Sequence, residues 1–587
     1  MSIKRVVASA QGGRANSPGH SFLDAKWGIS ISPFALWFLR TFVMATDLKF
    51  YVFRDGRKTV PAEHLLGALR GSLRAAKDEN GWVDALLRSG ELECALDDAG
   101  DAQAREIAAI TDTCAKKLVS WSYSARPELM TELPLRLAGE VQVSTPEGFA
   151  YYALHPRQYA DVVERLGALR GAVVVGIRSI GTTLSAVMGA ALSGRGSWVK
   201  RMTVRPEGHP FDREVKWNVT HLQAICAGII RNATFVIVDE GPGLSGSSFL
   251  SVAEALLKAG VEADKIVLVP SHEVNVAGLR AKDAAARWKR FRCVTVGDGR
   301  YPEGEWIGGG EWRKLLGERG EGVGAWKTLE RAKFLAPEVF WKFAGHGAYG
   351  AQMRATARSL ADAGFAPKIV GDKSGYIGYE FVAGRHASSA DLNTERLRTM
   401  VAYCAFRSEE FACAASDAQQ KDLATMVRVN YEREFGTRLP AALRKLPVVR
   451  TMICDAKMAP HEWMLAADGR FLKLDGDSHG DDHFFPGPCD VAWDLVGAMV
   501  EWDMDASTRE AFAREYVAQT HDNVAPRIRN YVVAYAVFRM AWARTAAAGM
   551  RGTAEEERLT REALRHRGFV ERAVKGASAA VQEAIAS

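Results

Sequence analysis

The sequence predicts a multidomain α/β protein: a mostly helical accessory region (1–135), a parallel-sheet domain (136–300) and a second α/β-to-helical module (301–587). Three observations carry that expectation. At 587 residues the chain exceeds what one hydrophobic core organises. Short β-branched runs, AVVVG (172–176), FVIV (235–238) and IVLVP (266–270), alternate with helix-like stretches at 184–192 and 249–259. That alternation is the mark of a parallel sheet with helical crossovers. Glycine and polar residues then cluster over 297–324, where one folding unit is expected to give way to the next.

Composition is that of a folded protein, with 48% hydrophobic and 25% charged residues. The 76 Lys and Arg against 70 Asp and Glu leave a net charge of +6, with no long basic run, so nucleic acid is not indicated as a partner. The eight cysteines are scattered without a CxxC pair and read as free thiols of a cytoplasmic protein. The most apolar early stretch, 31–45, is interrupted by Arg40 and too short to span a bilayer, so it reads as a buried helix and no membrane partner is expected. Before residue 135, apolar residues at helical spacing (Leu65, Leu66, Leu69 and Leu73, then Val83, Leu86 and Leu87) name no chemistry. No internal repeat is apparent.

In an open α/β sheet, ligands bind beyond the carboxyl ends of the strands, so the loops there carry the functional reading. FVIVDEGPGLSGSS (235–248) ends a strand in Asp239 and Glu240 and runs through Gly241, Gly243 and Gly246 into a helix at Ser247. Glycines let successive backbone N–H groups converge on a phosphate, and a helix N-terminus adds partial positive charge. Ser245, Ser247 and Ser248 can donate to the same anion, and adjacent carboxylates can accept from vicinal sugar hydroxyls. The glycines also spell GxGxxG, but a dinucleotide site wants an acid at the end of the following strand, which here reads Val269, Pro270, Ser271, His272. A serine-hydrolase elbow fails because the second glycine of GxSxG is missing. A purely structural glycine turn is the remaining alternative.

The loop resembles the signature of type I phosphoribosyltransferases, which implies a Rossmann-like domain of about 150 residues that binds phosphoribosyl diphosphate with Mg²⁺. By the same resemblance VVVGIRSIGTT (173–183) is the pyrophosphate loop, with Arg178, Ser179, Gly181 and Thr182 at a second anion. TVRPEGHPFDRE (203–214), with Arg205, His209 and Arg213, looks like a hood over the reacting diphosphate. Asp239 and Glu240 then carry the catalytic role, and the solvated-loop reading of the hood stays open.

In the second module FWKFAGHGAYG (340–350) sets Lys342 on an apolar strand. An amphipathic stretch (353–370), IGYEFVAGR (377–385), TMICDAKMAPHEW (451–463), FLKLDGDSHGDD (471–482) and CDVAWDL (489–495) follow. This order resembles the aminoglycoside-phosphotransferase branch of the protein-kinase-like fold, a two-lobed α+β domain. The resemblance implies that Lys342 neutralises phosphates of ATP, Asp455 orients or deprotonates an acceptor hydroxyl, and Asp475 holds Mg²⁺. Lys457 matches the catalytic loop, and Asp490 and Asp494 resemble acids that brace it. The chain departs from that pattern where Pro460 replaces an expected Asn, where no Glu in 353–366 pairs with Lys342, and where no phosphate-covering glycine loop is clear. A solvated turn is the alternative for Asp475, Asp477, Asp481 and Asp482, and His521 and His566 read as surface or core residues.

The expected function is bifunctional: phosphoribosyl transfer or pyrophosphorolysis, with phosphoribosyl diphosphate as substrate or product, plus ATP-dependent phosphorylation of a small-molecule metabolite. Two alternatives stand beside it: a transferase with an ATP-sensing module, and a nucleotide-binding interaction protein without turnover. The acceptor, reaction direction and oligomeric state are left open.

Overall fold

The computed structural model describes residues 50–51, 57–120, 136–297, 299, 302–478, 485 and 487–586. The stretch 31–45 and the acids Asp481 and Asp482 lie outside the described residues.

The chain is mixed α/β. Strand β1 (Arg57–Pro61) leads into helices α1 (Ala62–Ala75), α2 (Glu79–Ala99) and α3 (Ala104–Val119), and β2 (Glu140–Ser144) returns to pair antiparallel with β1. A parallel sheet follows, built from β3 (Gly171–Ile177), β4 (Trp198–Val204), β7 (Thr234–Val238), β8 (Ile266–Val269) and β9 (Arg292–Cys293), in the order β4-β3-β7-β8-β9. Its central strands are apolar on both faces, as expected where both faces are covered. Ala172, Val174, Val236 and Val238 pack with α1 to α3 and with α4 (Ile180–Gly194). Val173, Val175, Phe235 and Ile237 pack with α5 (Val219–Ile230) and α6 (Ser247–Lys258). The N-terminal helices therefore share a core with the sheet. A short hairpin, β5 (Glu207–His209) and β6 (Asp212–Glu214), stands out between β4 and α5.

A second, antiparallel sheet has the order β10-β11-β12-β14-β13, from β10 (Glu305–Trp306), β11 (Lys333–Leu335), β12 (Val339–Phe343), β13 (Ile369–Lys373) and β14 (Tyr376–Glu380), with α7 (Ala351–Asp362) beside it. The glycine-rich stretch expected to separate two units is more than a connector, because it contributes β10 and the cover of a cavity. Its glycines at 304, 309, 310 and 317 take positive φ, which lets the chain turn repeatedly. Beyond β14 come β15 (Gly384–His386), α8 (Thr394–Glu410), α9 (Asp417–Phe435), β16 (Thr451–Met452), β17 (Trp463–Ala466), β18 (Phe471–Lys473) and β19 (Cys489–Asp490). Four helices close the chain: α10 (Ala492–Glu501), α11 (Ala506–Thr520), α12 (Ala525–Gly549) and α13 (Ala554–Ala586). Residues from 360 to 570 supply one large core centred on α8, α10 and α12. Among the described residues, no helix is long and apolar enough to cross a membrane.

Candidate active sites

In the parallel sheet the crossovers after β3 and β7 go to opposite faces, because α4 packs on one face and α6 on the other. The two loops between them flank a topological switch point, the crevice where open α/β sheets bind ligands. They approach closely: a Cβ at Gly181 would lie 2.7 Å from the carbonyl oxygen of Val238 and 3.4 Å from Asp239 Oδ1, so the crossing requires glycine. Ser179 adopts φ 105°, a strained conformation for a side-chain-bearing residue, of the kind that collects at ligand sites. Thr182 is fully buried with its hydroxyl lacking a hydrogen-bond partner among the described residues.

Asp239 and Glu240 sit together at the end of β7. The phenol of Tyr159 donates to the Asp239 carbonyl (2.7 Å), Ser271 N–H donates to the Glu240 carbonyl (2.7 Å), and Gly148 N–H donates to Glu240 Oε2 (3.2 Å). Burial pushes the Asp239 carboxyl up to about 7, against the pull of Arg205 and Arg213. Burial, with Glu147 and Asp239 as negative neighbours, pushes Glu240 up to about 8. The loop then turns through Gly243 and Gly246, both at positive φ, into α6. Gly241 lies against the His272 ring, and Ser248 opens α6 partly exposed. Ser245 Oγ and Ser247 Oγ are 2.9 Å apart, and Ser247 Oγ donates to the Pro210 carbonyl at 2.6 Å, which seats the β5–β6 hairpin on the N-terminus of α6.

Two of the arginines expected to face an anion are held by acids that sequence reasoning missed. Arg178 lies 3.3 Å from Asp98 Oδ1 and 3.5 Å from Asp97 Oδ2. Arg205 Nε donates to Asp98 Oδ1 at 3.1 Å. Both acids end α2, some 80 residues upstream, and nothing local in the sequence marks them. Arg213 stands on β6, its guanidinium shifted down by burial and by Arg205.

The second site is a cavity of about 570 Å³ between the antiparallel sheet and the C-terminal helices, within the size range of small-molecule sites. Lys342, on β12, is buried, and its ammonium donates to Asp475, Asp477 and, at 2.8 Å, Ser478 Oγ. The partner missing from 353–366 is thus supplied by the loop after β18. Tyr379 also donates to Asp477. Lys333, directly opposite Lys342 in the sheet, pairs with Glu330 at 2.6 Å and lies 3.7 Å from Asp475.

Asp455 is fully buried, accepting from Tyr403 at 2.5 Å and pairing with Lys473 at 3.2 Å. Its loop is braced as expected: Asp494 accepts from the N–H groups of Asp455 (2.8 Å) and Ala456 (3.0 Å). Asp490 accepts from Val449 N–H and Arg450 N–H. Burial raises Asp494 to about 6 despite Arg407 beside it. The carboxylate of this loop that lines the cavity is Glu462, which pairs with Lys457 (2.6 Å) and Lys473 (3.2 Å). Its neighbour His461 also lines the cavity. Among the described residues, no group of three or more His, Cys, Asp or Glu side chains is arranged to hold a metal by itself. His566 is a buried core residue, bonded to Glu501 at 3.0 Å.

No protein-family model and no curated protein matches the chain. Solved structures to which it is similar include a choline/ethanolamine kinase family protein from Mesorhizobium loti, at 18% identity and TM-score 0.29, covering 43% of this chain and 90% of that one. The choline kinase LicA from Streptococcus pneumoniae follows at 13% identity and TM-score 0.30, covering 40% and 89%. Aminoglycoside 2'-phosphotransferase-IIIa is similar at 13% identity and TM-score 0.29, covering 43% and 92%. At such identities and scores, the chemistry of the cavity has to be read from its own side chains.

Proposed function

We propose that the protein is bifunctional, with ATP-dependent phosphorylation of a small molecule in the cavity and phosphoribosyl transfer at the switch point of the parallel sheet. The observation that carries the first activity is the convergence of Asp475 and Asp477 on the buried ammonium of Lys342 at the cavity wall. Three charged groups from two distant segments meet where a polyphosphate and its cation need both signs of charge. Two hard carboxylate donors suit Mg²⁺, which keeps waters and completes its shell with substrate phosphates. Asp475 and Asp477 would hold that ion, which would neutralise charge on the phosphates, and Lys342 would bind the phosphates directly.

In transfer, the acceptor hydroxyl oxygen attacks the terminal phosphorus, the bond to the bridging oxygen breaks with its electron pair leaving on ADP, and the hydroxyl proton passes to a carboxylate. Glu462 faces the cavity and takes that contact. Asp455, fully buried, pairs with Lys473 at 3.2 Å and accepts from Lys457 N–H at 3.3 Å, which positions that lysine and the backbone of the loop. At the switch point, Asp239 and Glu240 would accept from the sugar hydroxyls. Arg178 and Arg205, turning from Asp97 and Asp98, and Thr182 would meet the diphosphate as the C1–O bond breaks, its electron pair leaving on pyrophosphate while a lone pair of the acceptor forms the new bond to C1 and the acceptor's proton passes to solvent. The strained Ser179, the orphaned Thr182 hydroxyl and the seated hairpin support this reading.

The experiment is incubation of the protein with phosphoribosyl diphosphate, ATP, Mg²⁺ and a metabolite extract, with new phosphoribosyl and phosphoryl adducts sought by mass spectrometry. Asp239→Asn with Glu240→Gln should abolish only the former and Lys342→Met only the latter. Adducts unchanged in either variant would sink the corresponding assignment. The burial of Asp455 also favours a second reading, in which the cavity senses ATP without transferring phosphate; nucleotide binding without any phosphoryl adduct would select it.

A further inference from the structure

The cavity lining is of two chemically different kinds. One part is ionic, around Lys342 and Asp475. The other comprises the indoles of Trp312, Trp326 and Trp542. The first two lie on the strap 307–331, which is tied to the C-terminal helices by Arg313 pairing with the buried Glu555 and by Ala325 N–H donating to the same carboxylate at 3.0 Å. Trp312 lies parallel to the His461 imidazole, with 8° between planes and 6.0 Å between centroids. Trp326 meets Trp542 edge-on at 5.9 Å.

This wall is unsuited to a cation. The guanidinium of Arg313 already lies 5.7 Å from the Trp312 centroid, and that of Arg539 lies 4.9 Å from Trp542. Each carboxylate that lines the cavity pairs with a basic side chain, and among the described residues none pairs with a group on the indoles, so none stands ready to balance an organic cation there: Glu330 with Lys333, Glu462 with Lys457 and Lys473, Asp475 and Asp477 with Lys342, and Glu380 with Arg470. A purely aliphatic acceptor fits no better. Trp312 Nε1 and His461 Nε2 are buried without a hydrogen-bond partner among the described residues, and such groups are costly to leave unmet. Burial and Lys457 hold His461 down to about 3, so its ring is neutral, with one nitrogen to donate and one to accept.

We propose that this part of the cavity receives the flat, neutral heteroaromatic ring of a nucleoside-type acceptor, packed among the indoles, with its polar edge at Trp312 Nε1 and His461 Nε2. The assignment rests on the phosphotransfer reading of the cavity and names its substrate class. Phosphoribosyl transfer to a ring nitrogen yields the 5′-monophosphate of such a ring compound, so the two sites would act on chemically related molecules.

The test is calorimetric titration of the full chain, first with a non-hydrolysable ATP analogue and Mg²⁺, then, with the analogue saturating, with adenosine, guanosine, cytidine and uridine in turn. Methyl ribofuranoside and tetramethylammonium serve as ringless and cationic probes. At least one nucleoside should bind with Kd below about 1 mM alongside the analogue, neither control probe should, and Trp312→Phe should weaken that nucleoside about tenfold by removing one hydrogen bond. The inference is overturned if no nucleoside binds, if methyl ribofuranoside or tetramethylammonium binds, if Trp312→Phe leaves the nucleoside's affinity unchanged, or if the analogue displaces the nucleoside. Failure of the analogue itself to bind would overturn the phosphotransfer reading and the acceptor assignment with it.

Discussion

Replacing Asp239 by Asn and Glu240 by Gln should stabilise the parallel sheet, and more so as pH rises. Both acids are pushed up by burial, Asp239 from 3.8 to about 7 and Glu240 from 4.5 to about 8. Below about pH 3, a unit under the free carboxylate values, both carry protons in folded and unfolded chains alike, and the substitutions change little. As pH rises the unfolded chain ionises first, so the folded state loses stability until its own acids titrate near 7 and 8. Between pH 5 and 8, Asp239 spends about two units and Glu240 about three in that window. At about 1.4 kcal/mol per unit the total is about 7 kcal/mol. The two carboxyls titrate as an interacting pair in a crevice that water reaches, so about half of that, roughly 3 kcal/mol, is the expected effect.

The assay is hydrogen–deuterium exchange of peptides from β7 and α6, comparing variant with parent at each pH so that intrinsic exchange rates cancel. The protection gained by the variant should be about 100-fold larger at pH 8 than at pH 5. Equal gains at the two pH values, or lower protection in the variant at pH 8, would refute the desolvation argument. A stabilised but inactive variant would be the signature of a site that holds buried acids for function at the expense of the fold.

Three further outcomes follow from the same geometry. Lys342→Met removes the cation shared by Asp475 and Asp477 and should weaken ATP binding at least about tenfold by calorimetry; unchanged affinity would remove Lys342 from the site. Glu93 is 2% exposed and pairs with Arg201 at 2.7 Å between α2 and β4; Asp112 at 2.6 Å keeps Arg201 paired in the variant, so Glu93→Gln should cost about 1–3 kcal/mol, read as earlier urea unfolding of the N-terminal helices. Gly90→Ala sets helix propensity, which favours Ala by about 1 kcal/mol, against a Cβ that would lie 2.0 Å from Thr183 Oγ1 where α2 crosses α4. Overpacking of about 1–3 kcal/mol should win, and a stabilised variant would show that Thr183 swings aside freely.

Much of this was legible locally. Apolar runs at 172–176, 235–238 and 266–270 became β3, β7 and β8 because a strand covered on both faces needs continuous apolar sequence, and the structure buries them all. Lys342 fell on an apolar strand as expected, for the same reason. Asp239 and Glu240 stand at a strand end because an acidic pair cannot continue a buried strand. Local pattern did not reveal which partners these residues meet. The cation at Asp475 and Asp477 comes from a strand more than 130 residues earlier, and Asp98, which holds Arg205, lies 107 residues before it.

The sequence by itself determined where strands, turns and charged loop ends occur, since those follow from side-chain period, backbone freedom and solvation over a few residues. Tertiary structure alone decided that the β3 and β7 loops face each other across a switch point, that Asp455 is buried while Glu462 meets the cavity, and that the strap 307–331 carries two indoles over it. Those arrangements depend on how separate elements pack, and packing matches surfaces that no single segment contains.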